Sequence, residues 1–206
     1  MTDQYGSYYE LQNNHQEEHD YHIRTLERSK VLIILAIHAG RIEMGTSELA
    51  EAIAREDFSM YLFEGFARNS QILHITSTHF DEPRCLDLIQ KHQTSLSLHG
   101  FAGTQSDPMI YLGGNNLALV KHLLDALVAG GYPTQINTGK YAATDPANIC
   151  NRTYSDGGVQ IELSAHLRSR FFEDYLHRKG REKKTPQFDY FVQLVRRTLL
   201  TYTGLA

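Results

Sequence analysis

The sequence predicts an α/β protein: a single domain built on a mixed, mostly parallel sheet flanked by helices. Three observations predict it. Val31-Leu-Ile-Ile-Leu-Ala-Ile37 is apolar at every position, the pattern of a central strand covered on both faces. Strand-like and helix-like segments alternate along the chain, the order expected when helices make the crossovers between parallel strands. At 206 residues, 41% hydrophobic and 21% charged, the chain has enough apolar material for one ordinary core.

The elements follow in order. Residues 1–30 read as a helix or irregular arm carrying tyrosines, with Asp20–Ile23 as a short edge strand. Residues 31–37 are the first strand. Thr46 or Ser47 can cap a helix to about Arg55, with Glu48 and Glu51 near its positive end. Asp57–Glu64 alternates as a strand, and Leu73–Thr76 reads as another short one ending before His79. Glu82-Pro83 starts a helix over Arg84–His92. Thr94–Leu98 is a strand, then Met109–Leu112, closed by Gly113-Gly114. Asn116–Ala129 has helical apolar spacing and stops at Gly130-Gly131-Tyr132-Pro133. A loop or short strand fills 133–148. Val159–Leu163 alternates as a strand, a helix begins near Leu167, and the last helix covers about Pro186–Tyr202. The whole chain, 1–206, is expected to be one domain.

Composition excludes several classes. No apolar run approaches the ~20 residues needed to cross a bilayer. The N-terminus is polar and acidic, without the basic start and apolar stretch of a secretory signal. Cytoplasmic synthesis without a signal peptide is expected, with release to the extracellular space by host lysis compatible with it; no membrane partner is expected, and the chain should be a monomer. Cys85 and Cys150 are too few for a disulfide framework and read as core thiols. The net charge is −4, but His166–Arg197 carries nine Lys/Arg against four Asp/Glu, leaving −9 on the remainder. An acidic chain with one basic segment is not a general nucleic-acid binder, although that segment can face a polyanion.

Polar residues collect just after predicted strands: His38 after 31–37, His79 after 73–76 and His99 after 94–98. Sites in open α/β sheets form at the carboxyl ends of strands. Zinc takes nitrogen and oxygen donors in a tetrahedral array, with one position left for water in a catalytic site. His38 and Glu43 are separated by Ala-Gly-Arg-Ile and can converge across a turn at Gly40. His99, followed by Gly100 with room for a metal, is the best third ligand, and His79 is its rival. Glu162 stands between Ile161 and Leu163 inside a strand, as an outward surface residue or as a general base that moves a proton from water to a leaving nitrogen.

Together these residues resemble the phage and bacterial poly-γ-glutamate hydrolase family, related to the zinc carboxypeptidases. The likeness spans most of the chain: Asp20-Tyr21, HAGRIEMGTSELA from His38, Tyr61–Gly65, Ile75–Phe80, Leu98-His99-Gly100, Asn148–Arg152 and Gly158–Ser164. The family's HGGxIExGTS stands here as HAGRIEMGTS, with Ala39 for a glycine. The His38–Glu43 spacing, HxxxxE, departs from the HxxE of carboxypeptidases. The resemblance implies a carboxypeptidase-like fold, one zinc ion on His38, Glu43 and His99, and Glu162 as the catalytic glutamate, with His79 beside the site as a substrate or oxyanion contact. It implies hydrolysis of γ-glutamyl amide bonds in poly-γ-glutamate. That polymer offers an α-carboxylate on every unit, which paired planar donors suit. Arg152 is the first expected carboxylate contact, with Arg41 and Arg168 next. The competing readings are a zinc amidase acting on peptidoglycan or N-acyl amino acids, and a non-enzymatic polyanion-binding module with structural zinc.

Overall fold

The computed structural model describes residues 3–104 and 106–205. Its frame is one seven-stranded sheet: β1 (Tyr21–Leu26), β2 (Ser29–Gly40), β3 (Phe58–Gly65), β4 (Thr94–Phe101), β5 (Ile110–Gly114), β6 (Thr134–Ile136) and β7 (Gly158–Ser164), in the order β1-β3-β2-β4-β7-β5-β6. β3, β2, β4 and β7 are mutually parallel and occupy the centre. β1 pairs antiparallel on β3, and β5 antiparallel on β7. The predicted mixed, mostly parallel sheet is the one observed.

The helices are α1 (Tyr8–Gln12), α2 (Thr46–Ala54), α3 (Pro83–Ile89), α4 (Leu117–Ala129), α5 (Ala165–Ser169), α6 (Arg178–Arg181) and α7 (Pro186–Thr203). Their caps explain several boundaries. Asn116, Ser164 and Thr185 each accept a bond from a first-turn amide, and Pro186 opens α7 where its missing N–H costs nothing. α2, α4 and α7 cover one face of the sheet, packing on Leu32, Ile34, Ala36, Leu96, Leu98, Val159 and Ile161. The other face meets α1, α3 and the N-terminal arm through Ile33, Leu35, Ile37, Tyr61 and Phe63. Toward β4 and β7 that second face turns polar: Ser95, Ser97, His99, Gln160 and Glu162 are all buried there.

Four expectations need correction. β2 runs to Gly40 and β4 to Phe101, so His38 and His99 lie inside strands and not after them. Leu73–Thr76 is not a strand. A 3₁₀ turn covers Ser70–Leu73, and side chains take the backbone groups that follow: Asp3 Oδ2 accepts from Thr76 N at 2.6 Å, and Ile75 O accepts from His38 Nε2 at 2.8 Å. These bonds take the groups that Ile75 and Thr76 would otherwise offer to a ladder. The expected helix after Leu167 is only the short α5, since Arg170 closes its C-terminus. Finally, the basic segment is a cationic face only in part: Arg168, Arg181 and Arg196 are buried, with Arg181 on Glu48 and Arg196 on Asp57, whereas Arg170, Arg178, Lys179, Lys183, Lys184 and Arg197 are exposed. Both cysteines are buried free thiols, as expected. No helix among the described residues is long and apolar enough to cross a membrane.

Candidate active site

The site lies at the carboxyl ends of β2, β4 and β7, on the polar face of the sheet. For His38 to reach that face the strand must break its alternation. Leu32, Ile34 and Ala36 point to one cluster and Ile33, Leu35 and Ile37 to the other, so strict alternation would send residue 38 to the first face, away from His99 and Glu162. The register with β3 slips between Ala36↔Leu62 and Ala39↔Glu64, where β2 spends three steps on two of its partner's. This bulge resets the parity: Ala39 returns to the first cluster and His38 turns to the other face.

Beyond the bulge the chain turns through Gly40, which holds φ +72° and whose Cβ would meet Gly65 O at 2.4 Å. Glu43 N then donates to His38 O at 2.7 Å, closing a tight turn. That closure lets the HxxxxE spacing bring both side chains to one point. Glu43 Oε1 lies 3.2 Å from His38 Nδ1, and its Oε2 lies 3.6 Å from His99 Nδ1. The two Nδ1 atoms are 3.1 Å apart.

Each donor is fixed from behind. His38 Nε2–H donates to Ile75 O at 2.8 Å, His99 Nε2 meets Ser97 Oγ at 3.0 Å, and Gly100 N donates to Glu43 Oε2 at 2.8 Å. Ile75 O can only accept, so His38 carries its proton on Nε2 and its Nδ1 lone pair faces the shared point; His99 does the same in the tautomer that donates Nε2–H to Ser97 Oγ. Donors bound to zinc at ~2.0–2.1 Å in a tetrahedral array stand about 3.3 Å from one another. The Nδ1–Nδ1 separation and the nearer carboxylate oxygen of Glu43 to each ring, Oε1 to His38 and Oε2 to His99, bracket that value, so the residues fit such an ion with the carboxylate facing it by both oxygens.

His74 is the neighbour that sequence reading missed. It forms a possible donor group with His38 and Glu43, their ligand atoms lying within 4.8 Å of one another. Its ring, however, stacks on His38 with centroids 3.9 Å apart and only 27° between planes, and its Nδ1 is bonded to Asp3 Oδ1 at 2.6 Å. A metal lies in the plane of each imidazole it binds, and two nearly parallel stacked planes do not meet within bonding reach. His99 makes a 72° angle with His38, which suits convergence. Burial and then the nearby His38 push His74 down to about 4.

Glu162 is the register partner of His99 in the β4–β7 ladder. Burial first, with Glu43 adding to it, raises its carboxyl to about 7, against the lowering influence of His99. Gln160, two residues earlier on the same face, donates Nε2 to Glu162 Oε1 at 2.8 Å, and Asn148 Nδ2 donates to Gln160 Oε1 at 3.0 Å, fixing the amide's orientation. The period of two along β7 was the available signal for Gln160; Asn148 arrives from the loop before β7 and stood in the sequence only as part of the Asn148–Arg152 stretch of the family likeness. Burial alone would raise Glu43, but His38 and His99 outweigh it and hold its carboxyl well below the usual range.

These groups floor a cavity of about 900 Å³, walled by His74–Thr78, the loop 139–145, Arg168 and Tyr175. Arg168 is in this wall, donating Nε to Leu163 O, Nη1 to Met44 O and Nη2 to Phe101 O. It also occupies the space over Gly100, where a Cβ would meet its guanidinium carbon at 2.3 Å; the room at Gly100 therefore serves Arg168 and not a metal. Arg152, Arg41 and His79 lie outside the cavity wall. Arg152 is half-buried with Nε on Ala147 O at 3.1 Å, and Arg41 and His79 are exposed.

A buried carboxylate beside three convergent donors, at the carboxyl edge of a mostly parallel sheet, is an arrangement suited to hydrolysis. The chain belongs to the poly-gamma-glutamate hydrolase family, whose model matches residues 5–194. The UPF0714 protein YndL of Bacillus subtilis (strain 168) is 36% identical over 200 residues, covering 96% of this chain and 78% of YndL. The structure of a bacteriophage poly-gamma-glutamate hydrolase matches with TM-score 0.95 at 32% identity, covering 100% of both chains. A zinc-free, apo structure of YndL matches with TM-score 0.92 at 35% identity, covering 98% of this chain and 99% of that one. The family expected from the sequence motifs is thus the family found, and the chain is an enzyme of the hydrolase class.

Proposed function

We propose that the chain hydrolyses the γ-glutamyl amide bonds of poly-γ-glutamate in this cavity, with one zinc ion held by His38 Nδ1, His99 Nδ1 and the Glu43 carboxylate. The observation that carries the reading is the convergence of those three donors within 3.1–3.6 Å, with Glu162 in register with His99. When bound, zinc supplies a Lewis acid for the amide carbonyl and lowers the pKa of water toward ~7. Glu162 takes the proton of the attacking water on its carboxylate and returns it to the leaving amide nitrogen. Gln160 holds that carboxylate by one oxygen and leaves the other to face the reaction. Arg168 keeps two N–H groups beyond those spent on carbonyls, for substrate oxygen at the cavity wall.

The test is exhaustive chelation followed by zinc re-addition, read as cleavage of the polymer. Loss and recovery of cleavage are expected. Turnover that survives chelation, with zinc absent by elemental analysis, overturns the metal assignment.

A further inference from the structure

We propose that Lys140 is the specificity residue that receives a substrate α-carboxylate at the cavity mouth, next to the γ-glutamyl bond being cut. The inference rests on the reading of the cavity as a poly-γ-glutamate site. Such a substrate brings a negative charge on every unit into a cavity that already holds Glu43, Glu162 and Asp145. Cationic groups must offset that charge. Apart from the histidines, the wall contains two, Arg168 and Lys140. Arg168 is buried and bonded to three carbonyls deep in the wall. Lys140 is exposed, and among the described residues no carboxylate lies within ion-pair distance of it. Its ammonium sits 5.2 Å from the Tyr141 ring centroid, a contact that leaves N–H groups for a carboxylate.

The loop carrying Lys140 is held in place. Asn137 Oδ1 accepts from Gly139 N at 2.9 Å and Tyr141 N at 3.0 Å, bracketing residue 140. Gly114 N donates to Ala142 O at 2.8 Å, and Asn151 Nδ2 donates to Ala143 O at 2.7 Å and Asp145 O at 2.9 Å. Tyr141 itself stacks on Tyr111 at 5.7 Å, with Phe101 completing the aromatic platform. A charge on a backbone so tied meets its ligand with little ordering cost. Asp145 is turned to its own loop, accepting from Ala147 N at 2.8 Å.

The experiment compares wild type, Lys140→Met and Lys140→Arg on oligo-γ-glutamate and on the same oligomer with its α-carboxylates amidated. For Lys140→Met, KM on the charged oligomer should rise about tenfold, the scale of one charge-assisted hydrogen bond, with little change in kcat. Lys140→Arg should recover most of the loss, and on the amidated oligomer the three proteins should coincide. Calorimetric binding of the charged oligomer to Glu162→Gln, with and without Lys140→Met, should show the same tenfold difference without turnover. Unchanged KM and Kd, or an equal loss on the amidated oligomer, overturns the role of Lys140. Binding that depends on Lys140 without cleavage by wild type overturns the hydrolytic reading and leaves this one standing. A wild type that neither binds nor cleaves overturns both.

Discussion

His99 and Glu162 are directly paired in the parallel ladder of β4 and β7, on the face that also carries Ser97 and Gln160. The proposed base and a proposed metal ligand are therefore held by one frame of backbone hydrogen bonds, and their relation does not depend on a loop. Glu162→Gln keeps the shape and removes the basicity. We expect kcat to fall by about 10²–10⁴, the usual contribution of a positioned general base. Zinc content by elemental analysis should stay near that of wild type, and the melting temperature should hold. Near-normal turnover in this variant would remove Glu162 from the chemistry.

Two histidines compete for the third ligand position, and geometry separates them. His99 Nδ1 lies 3.1 Å from His38 Nδ1 across a 72° ring angle, whereas His74 stacks face-on and is tied to Asp3. His99→Ala should abolish stoichiometric zinc binding in a competition titration against a chromogenic chelator. His74→Ala should weaken zinc by about 10–100-fold, the cost of losing a residue that supports a ligand from outside the coordination sphere. The reverse ranking would make His74 the ligand.

The parts of this site that a sequence can carry are those set by strand order and by short spacing. The apolar run at 31–37 marked the central strand, and His38, Glu43, His99 and Glu162 all reached one point because parallel strands deliver their ends to one edge of the sheet. The bulge that turns His38 to the correct face was not legible, because nothing in Ala-Ile-His-Ala distinguishes a bulged from a regular strand. His74 was missed because its segment has strand-like composition, while its backbone is engaged by Asp3 and His38. Arginines were preferred for the substrate on their donor geometry. That same geometry lets Arg168 bond three carbonyls at once, and Arg152 turns to Ala147 O. The exposed lysine in the cavity wall lies on a loop whose position is set by Asn137 and Asn151, contacts that no local pattern announces.

Gln160 offers a test of positioning without altering a proposed ligand or base. Its amide is oriented by Asn148 and donates to Glu162. Gln160→Leu should lower kcat by about tenfold, the value of one hydrogen bond to a charged group, while KM and zinc content stay close to wild type. Asn148→Ala should produce a smaller fall in kcat, because Gln160 remains but its amide is free to rotate. Equal effects on kcat and KM, or loss of zinc, would assign Gln160 a general structural role.

Far from the cavity, Arg84 joins the N-terminal arm to α3. It donates Nη1 and Nη2 to the two oxygens of Glu17, at 2.9 and 2.7 Å, and Nε to Glu82 at 2.9 Å. The bonds from Arg84 hold the Glu17 carboxyl below its ordinary value of 4.5, against a smaller opposing push from burial. Because the folded pKa is depressed, this stabilisation is present above the unfolded value and is lost as pH falls through the folded one. Glu17→Gln should therefore cost stability at neutral pH, by less than about 1 kcal/mol for a pair this exposed, and the difference from wild type should close as pH falls from the unfolded value through the depressed folded one. Urea unfolding at a series of pH values measures it; a gap that persists unchanged into acid would show that charge is not its source. Glu82 sets the contrast. It is buried and accepts from Tyr61 Oη, Cys85 N and Arg84, so Glu82→Ala strands two buried donors and one arginine. The same unfolding series should show a loss of about 2–4 kcal/mol at neutral pH for that variant, the cost of two buried donors left unpaired.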